Sequence, residues 1–466
     1  MWSKAFCVGV WLLGAGVIAL IGTPFSPLAL QEGGFMVSLN EPGQIIQVPQ
    51  DYKTIQEAID AAPPGSTIVV HHGIYYENLK IQKPLHLQAF LFATLEADPQ
   101  EPAVLIENAG SVTLANFLIH RRRQELAQDR TVTPPRPYRP IIVSLSLPEL
   151  LKSLSTPVRV STPKGKAAQV EEGIVAQGTT QVFLEGNKFT SWAMSIRIAS
   201  GASAVITNNT IETTAAAEHV KGIAVEDAEA KIIGNQLRIS SSLEFVSGIS
   251  VVNSQVQIKE NEIYILEGSR EGADGLGLVN TTGEISANRI IVRRADGIVI
   301  YGSQGLTVRD NMIVVTTPSV GIVISDTERS LQNKFIRIQG NNIIGALQQG
   351  SGISISVLSS PAPEIHGNII TNLGTGVSIT LEAQAHLQGN LLVGNQDGVV
   401  IRRDAVKASL YGNKIWNNRG CGVRIEKTLP QWEKFQGIEG QGNWLADNGQ
   451  GDLCPPDYPW PPGFRK

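Results

Sequence analysis

From residue 173 onward one short pattern of apolar and polar positions recurs. It is a Gly followed by two or three alternating aliphatics, a gap, another alternating stretch, and then Asn-x-aliphatic. The repeated asparagines are Asn187, Asn209, Asn235, Asn261, Asn288, Asn311, Asn341, Asn368, Asn390, Asn413 and Asn443. The residue three before each is aliphatic (Leu184, Ile206, Ile232 and so on) except Gly440, and the residue two after is apolar in every case, from Phe189 to Leu445. Alternation with period two makes these the inward positions of strands. Pieces such as Gly222-Ile223-Ala224-Val225, Gly297-Ile298-Val299-Ile300 and Gly398-Val399-Val400-Ile401 supply a further strand per unit. Units of 20–30 residues that bury an apolar face only against their neighbours form a solenoid. Short Ile/Val strands joined by Gly and Asn corners predict an all-β parallel β-helix, with coils about 4.8 Å apart. Asn is expected at the corners because it tolerates the left-handed backbone and its amide bonds to neighbouring coils. A helical solenoid is disfavoured, since no apolar i, i+3, i+4, i+7 pattern runs through the units.

An open coil end exposes core and strand edges, so both ends need covers. Residues 51–62 place Ile55, Ala58, Ile59 and Ala62 on one helical face, and Pro63-Pro64-Gly65 stops the pattern; this predicts a short N-terminal capping helix. Trp432, Trp444, Trp460 and the Pro-rich tail 446–466 are expected to cover the other end. Between residues 120 and 172 the repeat lapses into an excursion containing Arg121-Arg122-Arg123 and Thr133-Pro134-Pro135-Arg136-Pro137. The β-helix is therefore assigned to 45–445.

Composition changes this picture little. A chain of 466 residues suggests two or three domains unless it is a repeat, which this one is. The net charge of −4 lacks the basic excess of a nucleic-acid binder, so no nucleic-acid partner is expected. Lys4 precedes an uncharged run, Ala5–Gly22, and then Thr23-Pro24-Phe25-Ser26-Pro27. Residues 1–30 thus read as a signal peptide cleaved after Ala29, or as a membrane anchor, the run being just long enough to span a bilayer. Either way the chain is exported, to the periplasm or beyond, and membrane contact is expected only through this segment. In that compartment Cys421 and Cys454 are either joined, tying the tail to the last repeat, or two free thiols.

Val48-Pro49-Gln50-Asp51-Tyr52-Lys53-Thr54-Ile55-Gln56-Glu57-Ala58-Ile59, Ile68-Val69-Val70 and Gly73-Ile74-Tyr75-Tyr76-Glu77-Asn78-Leu79-Lys80-Ile81 resemble the opening of the right-handed parallel β-helix (pectate-lyase-like) superfamily. That superfamily includes pectate lyases, pectin methylesterases, polygalacturonases and mannuronan epimerases. It also includes the periplasmic copper-binding accessory protein of nitrous oxide reductase maturation and exported proteins with carbohydrate-binding and sugar-hydrolysis domains. The resemblance covers about residues 45–119 and 173–445 and implies a right-handed helix. It does not select an activity, because the same coils host lyases, hydrolases and passive adhesins. The Gly-His-Gly and Arg-Ile-Lys of polygalacturonases and the Asp-Pro-His-Asp of the epimerases are absent.

Two constellations carry chemistry. Asp274 and Asp296 each precede the Gly of their unit, so they are expected to stack on adjacent coils near 5 Å apart. Such carboxylates either share a proton or bind a cation such as Ca²⁺, the one cofactor the sequence suggests. Arg294, just before Asp296, is placed to stabilise charge on a uronate, as in lyases of this fold; the bland alternative is that Asp-Gly is simply a corner. Arg337, Glu364 and His386 lie four residues before their asparagines, with His366 two positions beyond Glu364. They form either a ligand or acid/base platform, or an ordinary charge-alternating sheet surface. His71 and His72, adjacent on an expected strand end, point to opposite faces and suit no shared metal. Two functions of different class follow: an exported β-helix that interacts with polysaccharide or a cell-surface glycan, with catalysis undecided and, if it is an enzyme, lyase or glycoside hydrolase chemistry, or a non-catalytic exported scaffold.

Overall fold

A computed structural model describes residues 43–122, 171–214, 217, 219–241, 245–268, 272–326, 335–357, 362–380, 383–402, 407–426 and 437–465. The expected export segment, the body of the 120–172 excursion and Trp432 lie outside them. Over the described residues the chain is a right-handed parallel β-helix with one helix, as the repeat predicts. Each coil lays one strand on each of three parallel sheets of 15, 14 and 14 strands. Sheet 1 carries the strands ending just before the repeated asparagines (Gln255–Lys259, for example), sheet 2 those just after them (Glu262–Glu267), and sheet 3 the Gly-aliphatic strands (Asp274–Val279).

The interior follows the period-two pattern. Leu184, Ile206, Ile232, Ile258 and Ile285 from sheet 1, and Phe189, Ile211, Leu237, Ile263 and Ile290 from sheet 2, have no exposed surface. On sheet 3 the inward position before the aliphatics is glycine in coil after coil, and the reason is close approach. A Cβ at Gly222 would sit 2.6 Å from the Gly248 carbonyl oxygen and 2.7 Å from Leu237 Cδ2.

The asparagines are buried, and they work differently from the sequence expectation. The left-handed residue at this corner is the one before each Asn, such as Gly234 (φ 68°), Glu260 (φ 57°), Ala287 (φ 54°) or Asp310 (φ 56°). The Asn itself bonds. Asn288 Oδ1 accepts both the backbone and the side-chain N–H of Asn261, each at 3.0 Å, while its own Nδ2 donates to Ile258 O at 2.9 Å. This ladder runs from Asn187 to Asn443, where Asn443 Nδ2 donates to Phe464 O at 3.0 Å. A second, shorter ladder of Asn395, Asn418 and Asn448 occupies the corner between sheets 2 and 3.

Helix α1 (Ile55–Ala61) caps the first coils, burying Ile55, Ala58 and Ile59. Thr54 and Glu57 form a reciprocal capping box, and the Glu77 carboxylate accepts the Ile55 and Gln56 N–H groups at 2.8 and 2.9 Å. At the other end the coil continues past residue 445. Strand Gly451–Cys454 pairs with Cys421–Ile425, and a Cys421–Cys454 disulfide fastens it there. The tail then packs Tyr458, Trp460 and Phe464 against the last coil. Around the excursion, regular pairing extends to Arg121 on one side and resumes at Glu172 on the other, with an Arg121–Glu171 ion pair at its base.

Candidate functional site

On sheet 3 the residue preceding each inward glycine faces outward, and parallel register stacks these residues in a column: Lys221, Ser247, Asp274, Asp296. Asp274 and Asp296 are Cα partners on adjacent coils, as their shared Asp-Gly context predicts. The Ser247 hydroxyl donates to Asp274 Oδ1 at 2.5 Å. Burial pushes the Asp274 carboxyl up to about 7; the Ser247 bond opposes this, the Asp296 charge adds to it, and Lys221 opposes it. Asp296 is also raised by burial, offset by the Val320 N–H, which donates to its Oδ1 at 2.7 Å. One member of the pair therefore exchanges its proton near neutral pH.

Beside this column lies a platform. His219 and Phe245, two residues before Lys221 and Ser247 and on the same face, stack with ring centroids 4.9 Å apart and planes 17° off parallel. In the next coil Gly272 (φ 80°) packs on Phe245, where a Cβ would fall 2.5 Å from Cδ1. Further along the strands Arg197 bridges Glu226 (3.1 Å) and Glu172 (3.4 Å). Neither Lys221, Ser247, His219 nor Phe245 was singled out from the sequence. The signal for the first two is present, since Lys221-Gly222 and Ser247-Gly248 occupy the same slot as the Asp-Gly pairs.

Arg294 sits in the corner before Asp296 with φ 53°, and its guanidinium lies 3.6 Å from Glu267. It faces that carboxylate from an exposed position. The corner reading also has support: Asp397 Oδ1 accepts the Cys421 N–H at 2.7 Å, just as Asp296 accepts Val320. Holding the next coil is thus a general use of Asp in this slot, and Asp274, bonded from the coil behind it, is the departure.

The second constellation lies on sheet 1. Arg337, Glu364 and His386 are Cα partners on three successive coils. Arg337 Nε donates to Glu364 Oε2 at 2.9 Å, whereas the His386 ring leans on Tyr411 at 5.6 Å. His366 lines a shallow cleft of about 590 Å³ with Gln388, Tyr411 and Gln441, bounded by corner glycines. Beyond it Glu439 accepts from Ser409 (2.6 Å) and pairs with Lys407 (2.9 Å), which hold its carboxyl below the usual range. His71 is in the corner after its strand and meets Gln47 at 3.0 Å. Among the described residues no group of three or more His, Cys, Asp or Glu side chains is arranged to hold a metal ion, and no helix is long and apolar enough to cross a membrane.

The family models that match this chain agree with this architecture. A family model described as a right handed beta helix region matches residues 169–337, and one described as periplasmic copper-binding protein (NosD) matches 331–454. No curated protein matches the chain in sequence. Among solved structures, a mutant of the periplasmic alginate epimerase AlgG is 15% identical, over 88% of this chain and 80% of its own, with a TM-score of 0.31. The A-module of the Azotobacter vinelandii mannuronan C-5 epimerase AlgE6 is 12% identical, over 86% and 90%, with a TM-score of 0.36. The catalytic unit of a GH87 alpha-1,3-glucanase from Streptomyces thermodiastaticus is 14% identical, over 84% and 65%, with a TM-score of 0.43.

Proposed function

We propose that this chain, a right-handed parallel β-helix, is an exported polysaccharide-interacting protein whose working surface is the sheet 3 column around Asp274. The observation that carries the reading is the juxtaposition of a carboxyl that titrates near pH 7, a second carboxylate on the next coil, and the stacked His219–Phe245 pair. A sugar ring presents an apolar face to an aromatic platform and hydroxyls to flanking polar groups. A carboxyl poised near neutrality beside a carboxylate is the equipment for proton transfer to or from a sugar oxygen. A cation such as Ca²⁺ bridging Asp274 and Asp296 is the alternative use of the same pair. The export assignment rests on Lys4 and the apolar run Ala5–Gly22, together with the periplasmic description of the family matched over 331–454.

The test is a panel of acidic and neutral polysaccharides, with and without Ca²⁺, assayed for retention and for new reducing or unsaturated ends. Wild type should bind or process at least one glycan, and Asp274→Asn and Phe245→Ala should each weaken that effect. If the variants match wild type on every glycan, this surface is not the site. The scaffold reading, favoured by the structural use of Asp397 and Asp296, would then stand.

A further inference from the structure

The corner between sheets 1 and 2 follows one rule through most of the solenoid: a left-handed residue, mostly Gly and otherwise Asn208, Asp310, Glu260 or Ala287, then a buried Asn. The coil formed by Leu85–Ala89 and Thr94–Ala97 breaks it. Its corner is Phe90-Leu91-Phe92, exposed by 55%, 70% and 56%, with Leu91 at φ 57° and Phe92 at φ 62°. Bulky side chains are disfavoured in this region of backbone space, so the geometry holds them outward at a cost. Alongside, on the preceding coil, Ile74 and Tyr76 are also exposed, and the Arg122 guanidinium lies 5.4 Å from the Tyr76 ring centroid.

We infer that this face is a membrane-contact surface, seated in the headgroup and upper acyl region of a lipid bilayer. Aliphatic and Phe side chains at a protruding tip, rimmed by a Tyr and an Arg, are the composition that interfacial anchoring uses. The occupant is chosen by where the chain enters. The N-terminal edge strand Ile45–Val48 is only two strands from Leu85–Ala89 on sheet 1, about 10 Å away. The uncharged run Ala5–Gly22 ends 22 residues before that strand. The same end of the solenoid thus receives the chain from its apolar segment and presents the exposed tip. This inference is independent of the glycan reading, which concerns sheet 3.

The experiment uses the full chain with Cys7→Ser, leaving the Cys421–Cys454 bond intact, and Leu91→Cys carrying an environment-sensitive fluorophore. The protein is reconstituted into phosphatidylcholine nanodiscs, with and without phosphatidylglycerol, containing lipids nitroxide-labelled on the upper acyl chain. A label at Leu347→Cys is the control, since Leu347 is comparably exposed at 59% but follows a strand eight positions further along sheet 2, about 38 Å away. The expected result is a blue-shifted, nitroxide-quenched label at 91 and an unquenched label at 347. Equal quenching at both sites, or none at 91, overturns the inference. A shift at 91 that follows protein concentration rather than lipid also overturns it, by giving the face to a second copy of the chain. In a further variant, Phe90→Ser with Leu91→Asn and Phe92→Asn, the left-handed backbone suits the new residues, so the fold should persist with unchanged thermal unfolding. A label moved to Ile74→Cys should then lose its quenching; retained quenching there argues against the tip as the anchor.

Discussion

Asp274 and Asp296 stand opposite one another on adjacent coils, yet their carboxylates are held from opposite directions: Ser247 donates to Asp274 from the coil behind, and Val320 donates to Asp296 from the coil ahead. Asp296 is consequently engaged in joining coils. Asp274 is left with a hydroxyl partner and a buried carboxyl that keeps its proton to about pH 7.

That arrangement sets a pH dependence. The Asp274 carboxyl is raised from 3.8 to about 7 in the folded chain, so between those values the native state holds a proton that the unfolded state has released. Stability from this group is therefore greatest at low pH, falls as pH rises from about 4 to 7, and is flat above. Asp274→Asn lacks the slope. Relative to wild type it should gain about 4 kcal/mol between pH 4 and pH 8. Urea unfolding of both proteins at the two pH values checks this; parallel losses would show that Asp274 titrates normally.

The asparagine ladder predicts a large cost for a small truncation. Asn288→Ala removes the acceptor for two N–H groups of Asn261 and the donor to Ile258 O, all buried. Leaving these groups unpaired should destabilise the chain by about 3 kcal/mol or more. Denaturant midpoints measure it, and a change below about 1 kcal/mol would mean that water replaces the amide.

Two glycines should respond unequally to one added methyl. Gly222→Ala places Cβ against the Gly248 carbonyl and Leu237, with little room for the backbone to move, and should cost about 3 kcal/mol. Gly367 has φ 63° and nothing within 4 Å of its Cβ position, so Gly367→Ala should cost only the left-handed penalty of about 1 kcal/mol. Thermal unfolding of the pair separates interior close approach from backbone conformation.

The Cys421–Cys454 bond closes a loop 33 residues apart in sequence. Reduction should lower stability by about 3.5 kcal/mol on the loop-entropy account, with the C-terminal coil opening first. Mass spectrometry after alkylation, with and without reductant, verifies the bond, and hydrogen exchange over Gly437–Cys454 locates the loss. Two alkylatable thiols in native protein would refute the pairing.

By contrast, Arg337 and Glu364 are 55% and 40% exposed, and Arg337→Ala should change stability by no more than about 0.5 kcal/mol. A double-mutant cycle with Glu364→Ala reads the coupling directly.

What the sequence by itself determined was the solenoid, because its information is local and repeated. Leu184 and Phe189 around Asn187 announce the same inward alternation as Leu410 and Ile415 around Asn413, and parallel stacking converts each spacing into a register. The pairing of Asp274 with Asp296, and of Glu364 with His386, followed from that register alone. What only the tertiary structure decided was the direction of each side chain within its slot. Arg294 turns to Glu267, His386 turns to Tyr411, and Ser247 meets Asp274. Register places Cα atoms, whereas rotamers answer to partners on coils two dozen or more residues away, and to a burial that no single repeat contains. The raised Asp274 carboxyl and the outward Phe90-Leu91-Phe92 tip arise at that level, from neighbours supplied or withheld by adjacent coils.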